Sequence, residues 1–185
     1  MSTESTGTES TSMESTGTEP ISTEPTISAP SHSAVQAVER ELRSHGITGE
    51  VLWLDEATPT AASAAEAIGT VVGAIANSLV FTLDGEPVLV MTSGGHRVDT
   101  AYLGAELGGT LKRASAETVR QSTGQVIGGV APTGHPAPLR TWVDIALKAY
   151  PQIWAAAGHP HTVFPLTYGE LVELTGGMEI EVERQ

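Results

Sequence analysis

Residues 75–92 read Ile-Ala-Asn-Ser-Leu-Val-Phe-Thr-Leu-Asp-Gly-Glu-Pro-Val-Leu-Val-Met-Thr. Two apolar, strand-like runs, Ser78–Leu83 and Pro87–Thr92, flank Asp84-Gly85. Asp-Gly tolerates the positive φ angles of a two-residue turn, whose twist matches that of the strands it joins. The stretch therefore predicts an antiparallel hairpin.

Working outward, Thr58-Pro59 is expected to open a helix, with Thr58 as N-cap and Pro59 at the first helical position. Its alanine-rich body ends at Gly69. Upstream, Ala34 to His45 has the apolar spacing of an amphipathic helix, with Val35, Val38 and Leu42 on one face and Gly46 as its stop. Val51 to Leu54 reads as a short strand. Downstream, Asp99 is expected to cap a helix reaching Leu107, and Ser115 a helix that stops before Gly124. Strands are expected around Val126-Ile127, Thr141–Asp144, Ile153–Ala156 and Thr162–Phe164. Thr167 with Glu170 three residues later forms a capping box for a last helix. Strands and helices alternate irregularly, with no phosphate-loop or dinucleotide fingerprint, which points to an α+β fold.

The 185 residues leave room for one domain. We place it at 31–185. Residues 1–30 are rich in Ser, Thr, Glu and Gly, with Glu4, Glu9, Glu14, Glu19 and Glu24 at a five-residue period and neither Lys nor Arg. Such a segment buries too little apolar surface to offset its chain entropy, so it reads as a disordered, acidic, solubilising tail. Without cysteine, the chain has no disulfide, thiolate metal site or cysteine nucleophile. Neither a secretory signal nor an apolar stretch of membrane-spanning length is seen, so a soluble cytoplasmic protein is expected, with no membrane partner. The net charge of −13, with only Lys112 and Lys148 as lysines, excludes a broad nucleic-acid groove and argues against DNA.

No GxSxG elbow, HExxH helix or CxxC pair is present. His159 and His161 are a close pair, but two ligands are too few for zinc, so no metal is expected. Two glycine-rich stretches carry more information: Ser93-Gly94-Gly95-His96, and the run from Gly128 and Gly129 through Pro132 to Pro136. Glycine beside proline makes a loop that is exposed and stiff. Such a loop either presents N–H groups to a carbonyl or phosphate oxygen or simply joins strands.

Taken in order, these pieces resemble the YbaK/ProX family of freestanding aminoacyl-tRNA editing domains. Ile75 to Phe81 is similar to the family's hydrophobic-x-Lys-Ser/Thr-Leu-hydrophobic segment. Ala61 to Gly69 resembles its alanine-rich helix, and Gly94 to Asp99 the loop before its Val/Leu-Asp helix start. Gly128 to Pro132 matches its GxxxP loop, with Ser122-Thr123-Gly124 before it, and Ala156-Ala157-Gly158 its late glycine turn. The resemblance implies a mixed, partly barrel-like β-sheet surrounded by helices. It also implies hydrolysis, in trans, of a mischarged aminoacyl-tRNA, with small amino acids on tRNA-Pro or a similar tRNA as substrates and no cofactor. The partners would be the aminoacylated acceptor end and a synthetase.

On the same ground the pocket would gather Asn77, Ser78, Gly94, Gly128, Gly129, Pro132, Gly158 and His159. Asn77 stands where the family carries a lysine, so a neutral amide replaces a cation. That exchange leaves open a non-catalytic module that binds an aminoacyl or nucleotide-like ligand or a synthetase. His135, just past the loop, is the candidate base or oxyanion donor, with His159 able to act from the opposite wall. Arg97 or Arg140 is a candidate for the missing positive charge. Trp53, Trp142 and Trp154 are expected to pack in the core.

Overall fold

The computed structural model describes residues 32–184. The disorder expected of residues 1–30 concerns a segment outside those residues. No helix among the described residues is long and apolar enough to cross a membrane.

The predicted hairpin is the centre of the molecule. β2 (Ala76–Leu83) and β3 (Glu86–Ser93) pair in full register from Ala76↔Ser93 to Leu83↔Glu86. Asp84 and Gly85 take φ of 51° and 94°, the double positive φ that the turn demands. β4 (Leu111–Arg113) adds antiparallel to the outer end of β2, while β5 (Arg140–Asp144) and β8 (Met178–Ile180) add in parallel beyond β3. The five-stranded order is β4-β2-β3-β5-β8. A second, antiparallel sheet has the order β1-β7-β6, from β1 (Leu52–Trp53), β7 (Thr162–Leu166) and β6 (Ile153–Ala156). One bridge, Ile75↔Trp154, joins the two sheets. The sheets curve together without closing, and the fold is the expected mixed α+β.

The period of two in β2 sorts its side chains between two cores. Ala76 and Val80 enter a cluster with Leu89, Met91, Val143 and Phe164. Phe81 and Leu83 enter another with Val88, Val90, Leu103 and Trp142. α1 (Ser33–Ser44) buries Val35, Val38 and Leu42 as its spacing requires, roughly 1.5–3 kcal/mol for each fully buried side chain. α3 (Thr100–Glu106) is capped by Asp99 and α4 (Ala116–Thr123) by Ser115, and α5 (Tyr168–Thr175) carries the Thr167–Glu170 box.

Three expectations are corrected. α2 spans Ala61–Ile68 and is capped by Thr60 in a reciprocal box with Ser63, not by Thr58. Thr58 is unavailable because its N–H and its hydroxyl both donate to the Pro160 carbonyl, which holds it extended against the β6–β7 turn. Val126-Ile127 is no strand: the Gly129 N–H returns to the Val126 carbonyl in a turn, leaving both side chains exposed. Of the tryptophans, Trp142 is in the core, Trp154 is half-buried, and Trp53 is 37% exposed.

Candidate functional site

β4 covers only the outer end of β2, Phe81 to Leu83. The inner part of that strand edge is therefore unpaired by β4, and a cleft of about 190 Å3 opens there, between β2 and β6. Ser78 stands at this edge and lines the cleft. The Val80 carbonyl points away from β3, accepting from Ala114 N–H, and the Ile75 carbonyl points toward β3, accepting from Gly94 N–H. By the two-residue repeat, the Ser78 N–H and C=O point to the open edge. Its hydroxyl lies on the Ala76 and Val80 side of the strand, is buried, and finds no hydrogen-bond partner among the described residues. Burying a hydroxyl unpaired costs about 1–3 kcal/mol, so such a group calls for a partner from outside the chain.

The opposite face of β2 carries Asn77, Leu79 and Phe81. Arg113 pairs with Phe81 in the β2–β4 register, and its guanidinium lies 6.0 Å from that ring's centroid. Arg113 is the one charged side chain lining the cleft among the described residues. The cleft thus wraps around a strand edge, with Ser78 on one side and Asn77 and Arg113 on the other. A lone cation lends itself to a phosphate or carbonyl oxygen.

Behind Asn77 the same face continues into a polar row. Thr92, its cross-strand neighbour, donates its hydroxyl to Asp144 Oδ2 at 3.2 Å. Ser93 N–H and Ala146 N–H also donate to this carboxylate, which is 1% exposed. His96 Nδ1 sits 3.0 Å from the same oxygen but outside hydrogen-bond geometry. Asp144 is therefore a structural clamp joining β3, β5 and the turn after it.

The other expected site residues divide. Gly128 lines the cleft beside Asn77 and Ser78, and a methyl group on it would sit 3.1 Å from Pro59 Cβ. Gly129 packs behind it against His159 and Pro160. Two loop amides are already committed, Gly129 N–H to the Val126 carbonyl and Ala131 N–H to Gln125 Oε1 at 2.7 Å. The loop therefore acts as a stiff wall, and an oxyanion cradle built from all its amides is excluded. Gly94 lies against Val72 and Ala61, and Gly158 against Ala34; neither lines the cleft.

Pro132 and His135 line a separate cavity of about 250 Å3 with Glu41 and Leu174. His135 Nε2 is 3.0 Å from the Ala131 carbonyl, and burial holds its pKa below the ordinary value despite that contact. Its ring does not line the cleft. Of the two arginines expected to supply charge, Arg140 stacks on Trp142 at 4.9 Å and Arg97 offers its backbone N–H to Glu183, so neither lines the cleft. No group of three or more His, Cys, Asp or Glu placed to hold a metal occurs among the described residues. Arg113 and the open edge at Ser78 had no signal in the sequence: a lone arginine on a three-residue strand resembles any other.

The aminoacyl-tRNA editing domain model matches residues 55–174, a span that holds the cleft, the hairpin and the glycine loop, and the chain belongs to that family. Among individual relatives, the uncharacterised protein YwhH of Bacillus subtilis (strain 168) is 30% identical over 127 residues, 68% of this chain and 81% of that protein. A solved structure, proposed as a trans-editing enzyme for prolyl tRNA synthetase, superposes with a TM-score of 0.79 at 39% identity, covering 85% of this chain and 100% of that one. Hypothetical protein APE2540 superposes with a TM-score of 0.74 at 26% identity, covering 80% and 99% respectively.

Proposed function

We propose that this chain hydrolyses mischarged aminoacyl-tRNA in trans. The substrates would be small amino acids on tRNA-Pro or a similar tRNA, in the cytoplasm and without metal or organic cofactor. Family membership and the 39% identical relative linked to prolyl tRNA synthetase support the substrate class. The observation that carries the reading is the unpartnered Ser78 hydroxyl beside a cleft of about 190 Å3 that Arg113 also lines. An aminoacyl ester is already activated, so positioning supplies much of the acceleration and no nucleophile–base pair is needed.

In the step, the oxygen of water bonds to the ester carbonyl carbon and the bond from that carbon to the ribose oxygen breaks. One water proton ends on the ribose oxygen, and the amino acid leaves as its carboxylate with release of the other. Ser78 orients the aminoacyl group or the ribose through its hydroxyl and edge N–H. Arg113 holds the terminal phosphate or the carbonyl oxygen. Gly128 and Pro59 wall the cleft, so larger side chains are rejected by contact.

The test is incubation of the purified chain with Ala-, Ser- and Cys-charged tRNA-Pro, reading the loss of ester. Acceleration for at least one is expected. No hydrolysis above the spontaneous rate across a full panel of aminoacyl-tRNAs would refute the activity and leave a binding module.

A further inference from the structure

Four rings from three distant parts of the chain meet at the surface beside the cleft. His32, just before α1, lies 4.4 Å from His159 and 5.4 Å from Trp53, centroid to centroid. Trp53 is in turn 5.4 Å from His159, and His159 is 5.4 Å from His161. Trp53 is 37% exposed, next to Leu52 at 42%. An exposed tryptophan set among half-buried imidazoles does not serve a core.

The patch shares its backbone with the cleft wall. Trp53 pairs with Thr162, which lines the cleft. Thr58, also a lining residue, bonds the Pro160 carbonyl between the two histidines. A methyl group on Gly129, next to the lining residue Gly128, would lie 2.6 Å from the His159 carbonyl carbon.

Hydrogen bonds set the ring edges. His161 N–H donates to His159 Nδ1 at 3.2 Å, so neutral His159 carries its proton on Nε2. His161 Nδ1 lies 3.0 Å from the Leu54 carbonyl and so carries the proton, leaving Nε2 as an acceptor. On the rings of His159 and His161 this leaves one donor, His159 Nε2–H, and one acceptor, His161 Nε2. Adenine presents the complement, a ring-nitrogen acceptor beside an amino donor.

Two magnitudes point to an occupant. The cleft, at about 190 Å3, is below the roughly 300–1,000 Å3 usual for ligand pockets, so an aminoacyl group with its ribose leaves no room for the base. The net charge of −13 leaves the chain few of the phosphate contacts that normally dominate affinity for nucleic acid, Arg113 apart, so stacking is the main further source. We infer that His32, Trp53, His159 and His161 form a stacking site for the 3′-terminal adenine of the charged tRNA, held there while the cleft holds the ester. This assignment rests on the deacylase reading above.

The probes are 3′-alanylamino-3′-deoxyadenosine, whose amide replaces the ester, and its counterpart with hydrogen in place of the base. Their affinities for the full chain are read from histidine ring-proton shifts. The base-bearing probe should bind about 5- to 150-fold tighter, the range that stacking one base spans. Trp53→Ala should bring the ratio near one, and Trp53→Phe should keep most of it. If Trp53→Ala does not fold, His32→Ala gives the same comparison. Equal affinities in the unmodified chain, or an intact ratio in the alanine variant, would overturn the assignment. Deacylation is assayed alongside. Cleavage without a base preference removes the stacking site and leaves the activity, whereas a base preference without cleavage does the reverse.

Discussion

Ser78→Ala separates a ligand-binding hydroxyl from a structural one, because the two roles move stability in opposite directions. The Ser78 hydroxyl is buried with no partner among the described residues. Its removal therefore breaks no internal hydrogen bond and relieves a desolvation penalty of about 1–3 kcal/mol. Taking the lower figure, and about 2–4 °C per kcal/mol for a domain of roughly 150 residues, the variant should melt a few degrees higher. Hydrolysis should move the other way. A neutral hydrogen bond to the substrate contributes about 0.5–1.5 kcal/mol, so kcat/KM should fall roughly 2- to 12-fold. Melting is followed by circular dichroism, and hydrolysis by release of labelled alanine from tRNA-Pro. A melting temperature lowered by several degrees would show that the hydroxyl holds the fold together. Unchanged hydrolysis in a stabilised variant would show that the substrate does not use it. Either result defeats the assignment.

Gly129→Ala should destabilise by about 1–3 kcal/mol, seen as a lower urea midpoint, because the added methyl meets backbone of His159 and Pro160 at 2.6–2.8 Å and neither side can yield cheaply. His135 gives a pH dependence. Its folded pKa lies below the unfolded value of about 6.5, so the unfolded chain takes up the proton first. The stability it contributes is complete above about 6.5 and declines as pH falls toward the folded value. His159 shifts the same way, through burial first and then repulsion from His32 and His161. Urea midpoints should therefore drop between pH 7 and 5, and His135→Phe should flatten the drop relative to its own value at pH 7. Arg113→Gln should lower kcat/KM about 2- to 5-fold and reduce the slope of log(kcat/KM) against log salt by about one unit. Asn77→Lys in the Arg113→Gln background should restore part of both, and a double variant no better than Arg113→Gln would separate the two positions.

The parts of the fold legible in the sequence are those set by local chemistry. Asp84-Gly85 specifies its turn whatever surrounds it, and the caps at Asp99, Ser115 and Thr167 bond amides within three residues. What the sequence hid is set by distant partners. Thr58 reads as a cap until Pro160, over a hundred residues away, takes both of its donors. Val126-Ile127 has strand-forming residues but no strand beside it. β4 and β8 are three residues each, too short for a period of two to be read. The site divides in the same way. Asn77, Ser78 and Gly128 are near the hairpin or the loop that the motifs mark, and they line the cleft. His135 is three residues beyond Pro132 in sequence, yet the loop turns it into another cavity.

The exchange at position 77 weighs less against catalysis once strand parity is taken into account. A lysine at 77 would project from the β2 face that also bears Leu79 and Phe81. Arg113, registered against Phe81 from the adjoining strand, brings a guanidinium to that same face, and the residue lines the same cleft. On the proposed reading a positive charge beside the cleft is thus retained, supplied across the strand pair instead of from β2 itself. The two cations are not equivalent, because a guanidinium offers a planar fork of donors and an ammonium a point charge. Such a fork suits a phosphate or a carboxyl-derived oxygen pair better than a single carbonyl oxygen. On the proposed deacylase reading, the replacement would move the cation's contribution toward holding the acceptor end, and would leave the edge N–H and hydroxyl of Ser78 to orient the aminoacyl group.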